Sequence, residues 1–337
     1  MPANGTVQKR SGDAETMPIL RLLFGWALLL ALPAAAQAQD RYPSRPVRIV
    51  VGFGPGAAAD LTARVIAQRL SQTMGQQFFV ENKPGGGSTV AAEQVARGPK
   101  DGYTLFIGTV ANVINAVIDP HLGFEFARDF APIVYTTSSP NILVVHPPTG
   151  VSSVKELIAL AKSKPEQVFF GSSGVGTSPH LSGELFNMMA GTRMVHVPYS
   201  GSAQAVTDLI AGRTQVMFSP ASSVLPYVES GQLKALASSE RERASAAPDL
   251  PTVAEAGLAG FDTSVWFGFV APTGTSREIV DRLSGAINEA LKNDEVVKQL
   301  HNAGLDIKGG TPEQFGAYIA GETTKWSAVV KAAGLRK

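Results

Sequence analysis

The chain has 337 residues, 44% hydrophobic and 17% charged, which supplies ample material for buried cores and excludes a chain that is disordered throughout. Its net charge is +1, and Lys9, Arg10 and Arg21 against Asp13 and Glu15 account for that charge, so the chain after residue 38 is neutral. A neutral surface excludes a nucleic-acid binder that works by neutralising phosphates, and zero cysteines exclude disulfides, thiolate metal sites, thiol nucleophiles and acylated lipoprotein anchors.

Arg21 precedes the uninterrupted apolar run Leu22–Leu32, and Ala36-Gln-Ala38 supplies small residues where signal peptidase needs them. Residues 1–38 therefore read as a secretory signal cleaved after Ala38, with Met17 a second candidate start beside Met1. The apolar run is shorter than the roughly 20 residues that a spanning helix needs. The expected mature protein is exported and free in a periplasm-like space. At roughly 100–200 residues per domain, it holds two domains.

Val47–Val51 is a β-branched run with the length of a buried strand, and it empties into Gly52-Phe-Gly-Pro-Gly56. Leu61, Val65, Ile66, Leu70 and Met74 then recur at helical spacing, with Gly75 at the C-terminal stop. Gln77–Glu81 reads as a second strand, Asn82–Gly87 as a turn cluster, the segment to Gly98 as a small helix, and Tyr103–Thr109 as a third strand. The same order recurs in the middle of the chain. Ile142–His146 is strand-like, and Ser153 with Glu156 forms a capping box for a helix whose inner face is Val154, Leu157, Ile158 and Ala161. Val168–Phe170 runs into the polar glycine loop 171–180, after which Leu181–Ala190 is helical. Val195–Tyr199 and Thr214–Phe218 are further strands around a helix at Ala203–Ala211. Phe267–Ala271 is a late strand, Ile279–Leu291 a long amphipathic helix, and Thr311-Pro-Glu-Gln314 a second capping box with Pro at the first helical position. Strands alternating with helices predict α/β architecture with mostly parallel sheets flanked by helices, whose ligands bind where the glycine loops leave the strands.

Catalytic motifs are few. Ser173 has Gly171 before it but Val175 after it, so there is no nucleophile elbow, and no base is placed beside a loop serine by spacing. The five histidines have no metal-ligand spacing, and no metal or cofactor is expected. Gly52-x-Gly54-x-Gly56 would need its third dinucleotide glycine at Ala57. The glycine loops fit anion capture instead. A helix N-terminus offers unpaired N–H groups and partial positive charge, and Ser172, Ser173, Thr177 and Ser178 add hydroxyls, unless these residues merely cap helices and turns. Asp60 reads equally as an N-cap ahead of Leu61 or as a contact for a ligand ammonium or hydroxyl group. Phe53 and Trp266 read as pocket walls or as core, His180 as a first-turn helix residue, and Tyr318 with Trp326 as packing.

From Tyr42 to Gly334 the chain resembles the substrate-binding proteins of tripartite tricarboxylate transporters, the Bug-type periplasmic receptors. Asp101-Gly-Tyr-Thr-Leu105, Asp129-Phe-Ala-Pro132, Gly171-Ser-Ser-Gly174, His196-Val-Pro-Tyr199-Ser-Gly201, Leu250-Pro-Thr-Val-Ala-Glu-Ala-Gly257 and Trp266-Phe-Gly268 carry the resemblance, through their order along the chain. It implies a two-domain periplasmic binding protein-like clamshell of type II, with a cleft between domains that closes on a carboxylate. Residues 39–138 and 263–337 would form a discontinuous first domain, and residues 139–262 the second. Carried over by position, the first domain would supply Phe53, Gly56, Ala57, Asp60, Thr109 and Asn112. The facing domain would supply Ser172, Ser173, Gly174, Thr177, Ser178, Tyr199, Ser200 and Ser219. The first loop departs from the family's usual P-G-G-x-T-D, reading Pro55-Gly-Ala-Ala-Ala-Asp60, and Ser219 stands where many relatives carry an acid. Both changes remove polarity, which points to a carboxylate without an ammonium group. The implied partners are that ligand and the membrane permease subunits of a tripartite transporter, with no nucleic acid, and the implied state is monomeric. The competing readings are a ligand-sensing accessory of a two-component system and a secreted serine hydrolase.

Overall fold

A β-branched run that is buried on both faces needs a neighbour on each edge, and Val47–Val51 (β1) finds two. In the computed structural model, which describes residues 4–6 and 42–336, β1 pairs in parallel with Phe78–Asn82 (β2) and with Thr104–Thr109 (β3). The apolar run Leu22–Leu32 and the expected cleavage site lie outside the described residues. Residues 4–6 have no regular secondary structure. Arg45 onward forms one compact unit by itself, and all that follows concerns it.

Between β1 and β2 runs Ala58–Met74 (α1), which stops at Gly75 in the left-handed conformation as its sequence predicts. Its buried face is Ala63, Ile66, Ala67 and Leu70, while Leu61 is exposed. Small alanines rather than Leu61 face inward because the helix packs closely against β2 and the later helices Arg277–Leu291 (α9) and Asp294–Asn302 (α10). Thr89–Ala96 (α2) leads to β3, every residue of which is buried, and β3 passes directly into Val110–Ile118 (α3). After the short helix Phe126–Asp129 (α4) comes the longest strand, Phe130–Val145 (β4).

β4 serves two sheets. Residues 130–140 pair antiparallel with Ser264–Pro272 (β9), which also pairs antiparallel with β3, and residues 141–145 pair with Val216–Pro220 (β7) and Lys234–Ser238 (β8). The two-residue strand Asp306–Ile307 (β10) joins β4 at Thr137 and Ser138. The second sheet is completed by Phe169–Ser172 (β5), parallel to β7 and to the edge strand Val195–Pro198 (β6). Its connecting helices are Val154–Ser163 (α5), Ser178–Ala190 (α6), Ser202–Ile210 (α7) and Ala221–Glu229 (α8), and Pro312–Ala332 (α11) closes the chain. The result is a two-domain α/β clamshell. Parallel pairing is confined to the outer arms, β2-β1-β3 and β7-β5-β6. The centre is antiparallel because β4 leaves the first sheet in one direction and β9 re-enters it in the other.

The sequence shows only the end of β4, since Pro132 and the polar stretch Thr136–Ser139 break the apolar pattern. Thr136, Thr137 and Ser138 are nevertheless buried, where Thr136 Oγ1 donates to Phe267 O at 2.9 Å and Thr62 Oγ1 meets Thr137 Oγ1 at 3.0 Å. The predicted capping box at Ser153 is half formed. Ser153 Oγ accepts from Glu156 N, but the Glu156 carboxylate turns back to the N–H and hydroxyl of Ser152. The box at Thr311 and Gln314 is complete. Trp266 is core rather than pocket wall. Its indole and that of Trp326 both donate to Glu322 Oε2, at 3.0 and 2.9 Å.

Candidate functional site

Strand ends, not strand faces, build the site. A cavity of about 470 Å³ opens where β1, β3, β5 and β7 deliver the chain into α1, α3, α6 and α8. Ala57–Ala59, Thr109–Ala111 and Thr177–Pro179, the N-caps and first turns of three helices, line it, as does Pro220, the N-cap of the fourth. Val265 and Phe267 contribute from β9, which pairs with β4 in the first sheet. Among the described residues, none that lines it is ionisable. Thr109, Asn115, Ser173, Thr177 and Ser178 provide its polar side chains, and Phe53, Ile114, Val175, Val265 and Phe267 much of its apolar wall.

The helix starts differ in how they are capped. At α3 the cap is closed within the chain: Thr109 Oγ1 accepts from Ala111 N at 3.2 Å, and Asn112 Oδ1 accepts from Thr109 N at 3.0 Å. At α1, α6 and α8 the N-cap residues Ala57, Thr177 and Pro220 make no side-chain cap. A helix start without a cap offers its N–H groups and its partial positive charge to a ligand. Three such starts converging on a cavity without charged side chains favour an anion held by backbone dipoles.

The two principal loops are held from behind. Asp60, read as an N-cap or as a ligand contact, is instead in the first turn of α1 and reaches back to accept from Gly56 N at 2.9 Å, while Asn82 Nδ2 donates to it at 2.8 Å and Arg64 Nε at 2.9 Å. Burial alone would raise its pKa, but these donors outweigh burial and hold the carboxyl below its ordinary value. In the facing loop, Gly176 adopts a φ of +76° and gives its N–H to His180 Nδ1 at 3.0 Å. Ser172 Oγ lies 2.7 Å from His196 Nε2 and accepts from Gly174 N at 3.1 Å. The rings of His180 and His196 stack with centroids 3.8 Å apart. Burial and the neighbouring His180 push the His196 pKa down to about 4.

Residues 62–335 match the tripartite tricarboxylate transporter family receptor, TctC. The chain belongs to this family. It is 33% identical over 324 residues to protein BugT of Bordetella pertussis, covering 95% of this chain and 99% of that one. Among solved structures it is similar to Rpa4515 of R. palustris with adipate, at 37% identity and a TM-score of 0.71, covering 87% of this chain and 98% of that one. It is also similar to MatC of Rhodopseudomonas palustris with bound malate, at 30% identity and a TM-score of 0.68, covering 86% of this chain and all of that one. Proteins of this family are periplasmic solute-binding receptors. Among the described residues, no helix is long and apolar enough to cross a membrane.

Of the positions singled out in the receptor's sequence, Phe53, Ala57, Thr109, Ser173, Thr177 and Ser178 line the cavity. Gly56, Asp60, Asn112, Ser172 and Gly174 do not line it but form the hydrogen bonds that shape its loops. Tyr199 and Ser200 are also outside the lining. The Tyr199 hydroxyl donates to Asp208 Oδ2 at 2.9 Å, and burial together with that partner pushes its pKa up to about 12. Ser200 donates to Gln204 on the surface. Ser219 is fully buried in β7, and among the described residues its hydroxyl has no hydrogen-bond partner. His196 overturns one expectation, since spacing alone placed no base beside a loop serine, yet its ring meets Ser172. The lining residues that sequence reasoning missed include Gly86, Gly87, Ile114, Asn115, Val265 and Phe267. One signal was present for Asn115, which lies one turn beyond Asn112 and donates to the carbonyls of Gly86 and Gly87 at 3.3 and 3.1 Å.

Proposed function

We propose that this receptor captures a small carboxylate, without an ammonium group, in the cavity between its two lobes and delivers it to the membrane subunits of a tripartite tricarboxylate-type transporter. The observation that carries this reading is the convergence of three helix starts without side-chain caps on a cavity lined by no ionisable residue. Dipoles satisfy a carboxylate there, whereas an ammonium group would find no counter-charge. The apolar wall from Phe53, Ile114, Val175 and Phe267 suits an aliphatic or aromatic body between anionic ends. The adipate and malate held by the two R. palustris relatives agree with this class.

The lobes we assign are residues 39–138 with 263–337, and residues 139–262. Phe53, Ala57, Thr109, Ser173, Thr177 and Ser178 are the contacts, and export with cleavage after Ala38 delivers a monomer to the periplasm. Closure follows because the ligand gains the amides of both lobes only when they approach. The hydrolase alternative is opposed by Ser172, which is fully buried and outside the cavity lining, so a substrate carbonyl has no approach to the Ser172–His196 pair.

A thermal-shift screen of the protein against adipate, malate, benzoate and amino acids tests the reading. A ligand at 100 times its Kd adds about 2.7 kcal/mol to the folded state. A selective rise in midpoint with an acid supports the proposal, and stronger stabilisation by an amino acid than by any simple carboxylate overturns it.

A further inference from the structure

We propose that Asn141 is a positioning residue for ligand capture, which holds the Ser178 hydroxyl as a hydrogen-bond donor towards the cavity and ties that donor to the strands joining the two lobes. The proposal rests on the carboxylate reading and adds to it a residue outside the cavity lining.

Asn141 lies where β4 passes from one sheet to the other. It pairs with Pro220, while the preceding Pro140 pairs with Ser264. Pro220 and Val265 both line the cavity, so Asn141 sits directly behind its floor, fully buried. Its side-chain Nδ2 donates to Ser178 Oγ at 2.8 Å. Ser178 is the first residue of α6 and lines the cavity. A hydroxyl has one proton and two acceptor positions. With an acceptor position taken from behind by the amide, the proton is left to be donated forwards, and the position selects a ligand acceptor such as a carboxylate oxygen.

The same residue is bound to the other crossing segments. Asn141 N donates to Ser239 Oγ at 3.0 Å, and Ser239 Oγ donates to Thr263 O. Ser239 follows β8 and Thr263 precedes β9, so one buried chain of hydrogen bonds links the crossing segments to α6. Among the described residues Asn141 Oδ1 has no hydrogen-bond partner, so the Nδ2 bond to Ser178 is the side chain's one polar tie.

A double-mutant cycle on the affinity for whichever of adipate, malate or benzoate gives the largest thermal shift tests this, with folding of each variant checked by its melting transition. Ser178→Ala weakens binding on the order of tenfold. Asn141→Ala weakens it about fivefold alone and less than about twofold beside Ser178→Ala, because its effect runs through that hydroxyl. Asn141→Asp, whose carboxylate accepts the Ser178 proton and turns the donor away, weakens binding more than Ser178→Ala does. Equal losses from Asn141→Ala in both backgrounds, or wild-type binding by a folded Asn141→Asp, overturn the proposal and leave the carboxylate reading intact. A wild-type protein that binds none of the acids overturns both.

Discussion

Asp60 and Arg64 lie one turn apart on α1, and Arg64 Nε donates to both carboxylate oxygens of the buried Asp60, at 3.0 and 2.9 Å. Arg64 also reaches Asn82 Oδ1 at 2.9 Å, so the start of α1 and the end of β2 are held by one side-chain cluster. Asp60→Ala removes an acceptor from the N–H of Gly56 and from Asn82, and a cost of about 2 kcal/mol in unfolding free energy is expected. Because the pKa of Asp60 is lowered in the folded state from its ordinary 3.8, its stabilisation is complete above that value and is lost as pH falls through the lower folded value. Urea titrations at pH 7 and pH 3 check this. The gap between wild type and variant should narrow at the lower pH.

Glu322 is the equivalent anchor on the buried face of α11. Two indoles donate to one of its oxygens, and Lys325 pairs with the other. Glu322→Ala leaves two buried N–H donors without an acceptor and should cost about 3–5 kcal/mol, while Glu322→Gln keeps a carbonyl for the indoles and should cost less. Urea denaturation followed by circular dichroism gives both values.

How much of this was legible beforehand depends on whether a signal is local. The unit β1–loop–α1 is written in one stretch of chain, as a β-branched run, a glycine loop and a helical pattern ending in Gly75, so it could be read directly. The first part of β4 could not, because its polar residues are satisfied by partners far away in sequence, such as Phe267 for Thr136. The site divides in the same way. Its loops were visible as loops, but adjacent residues in them point to different sides: Ser173 faces the cavity, while Ser172 turns back to His196. Val265 and Phe267 enter from a strand more than 140 residues beyond β3, and nothing local marks them as walls.

His196 should make stability depend on pH. Its folded pKa of about 4 lies below the ordinary 6.5, so between these values the unfolded chain binds a proton that the folded chain refuses. Stability should therefore fall by less than one proton's slope as pH drops from 6.5 to about 4, and this part of the slope should be absent in His196→Gln, whose amide can still meet Ser172. Melting midpoints across that range, compared between the two proteins, provide the check. A variant with an unchanged slope would assign the pH dependence to other groups.

Ala57 offers the most direct test of the anion site. It is the N-cap of α1, with φ −66° and ψ 156°, the extended conformation that N-cap residues adopt, yet its methyl group caps nothing. Ala57→Ser gives the helix a side-chain acceptor and should stabilise the free protein by about 1 kcal/mol. The same hydroxyl would then occupy amides that we assign to the ligand. Two effects of opposite sign are therefore expected from one substitution: a higher melting midpoint without ligand, and a smaller ligand-induced shift for the same carboxylate. If the shift instead grows, the serine is donating its proton to the ligand rather than capping the helix, and the amides of α1 are not the principal anion donors.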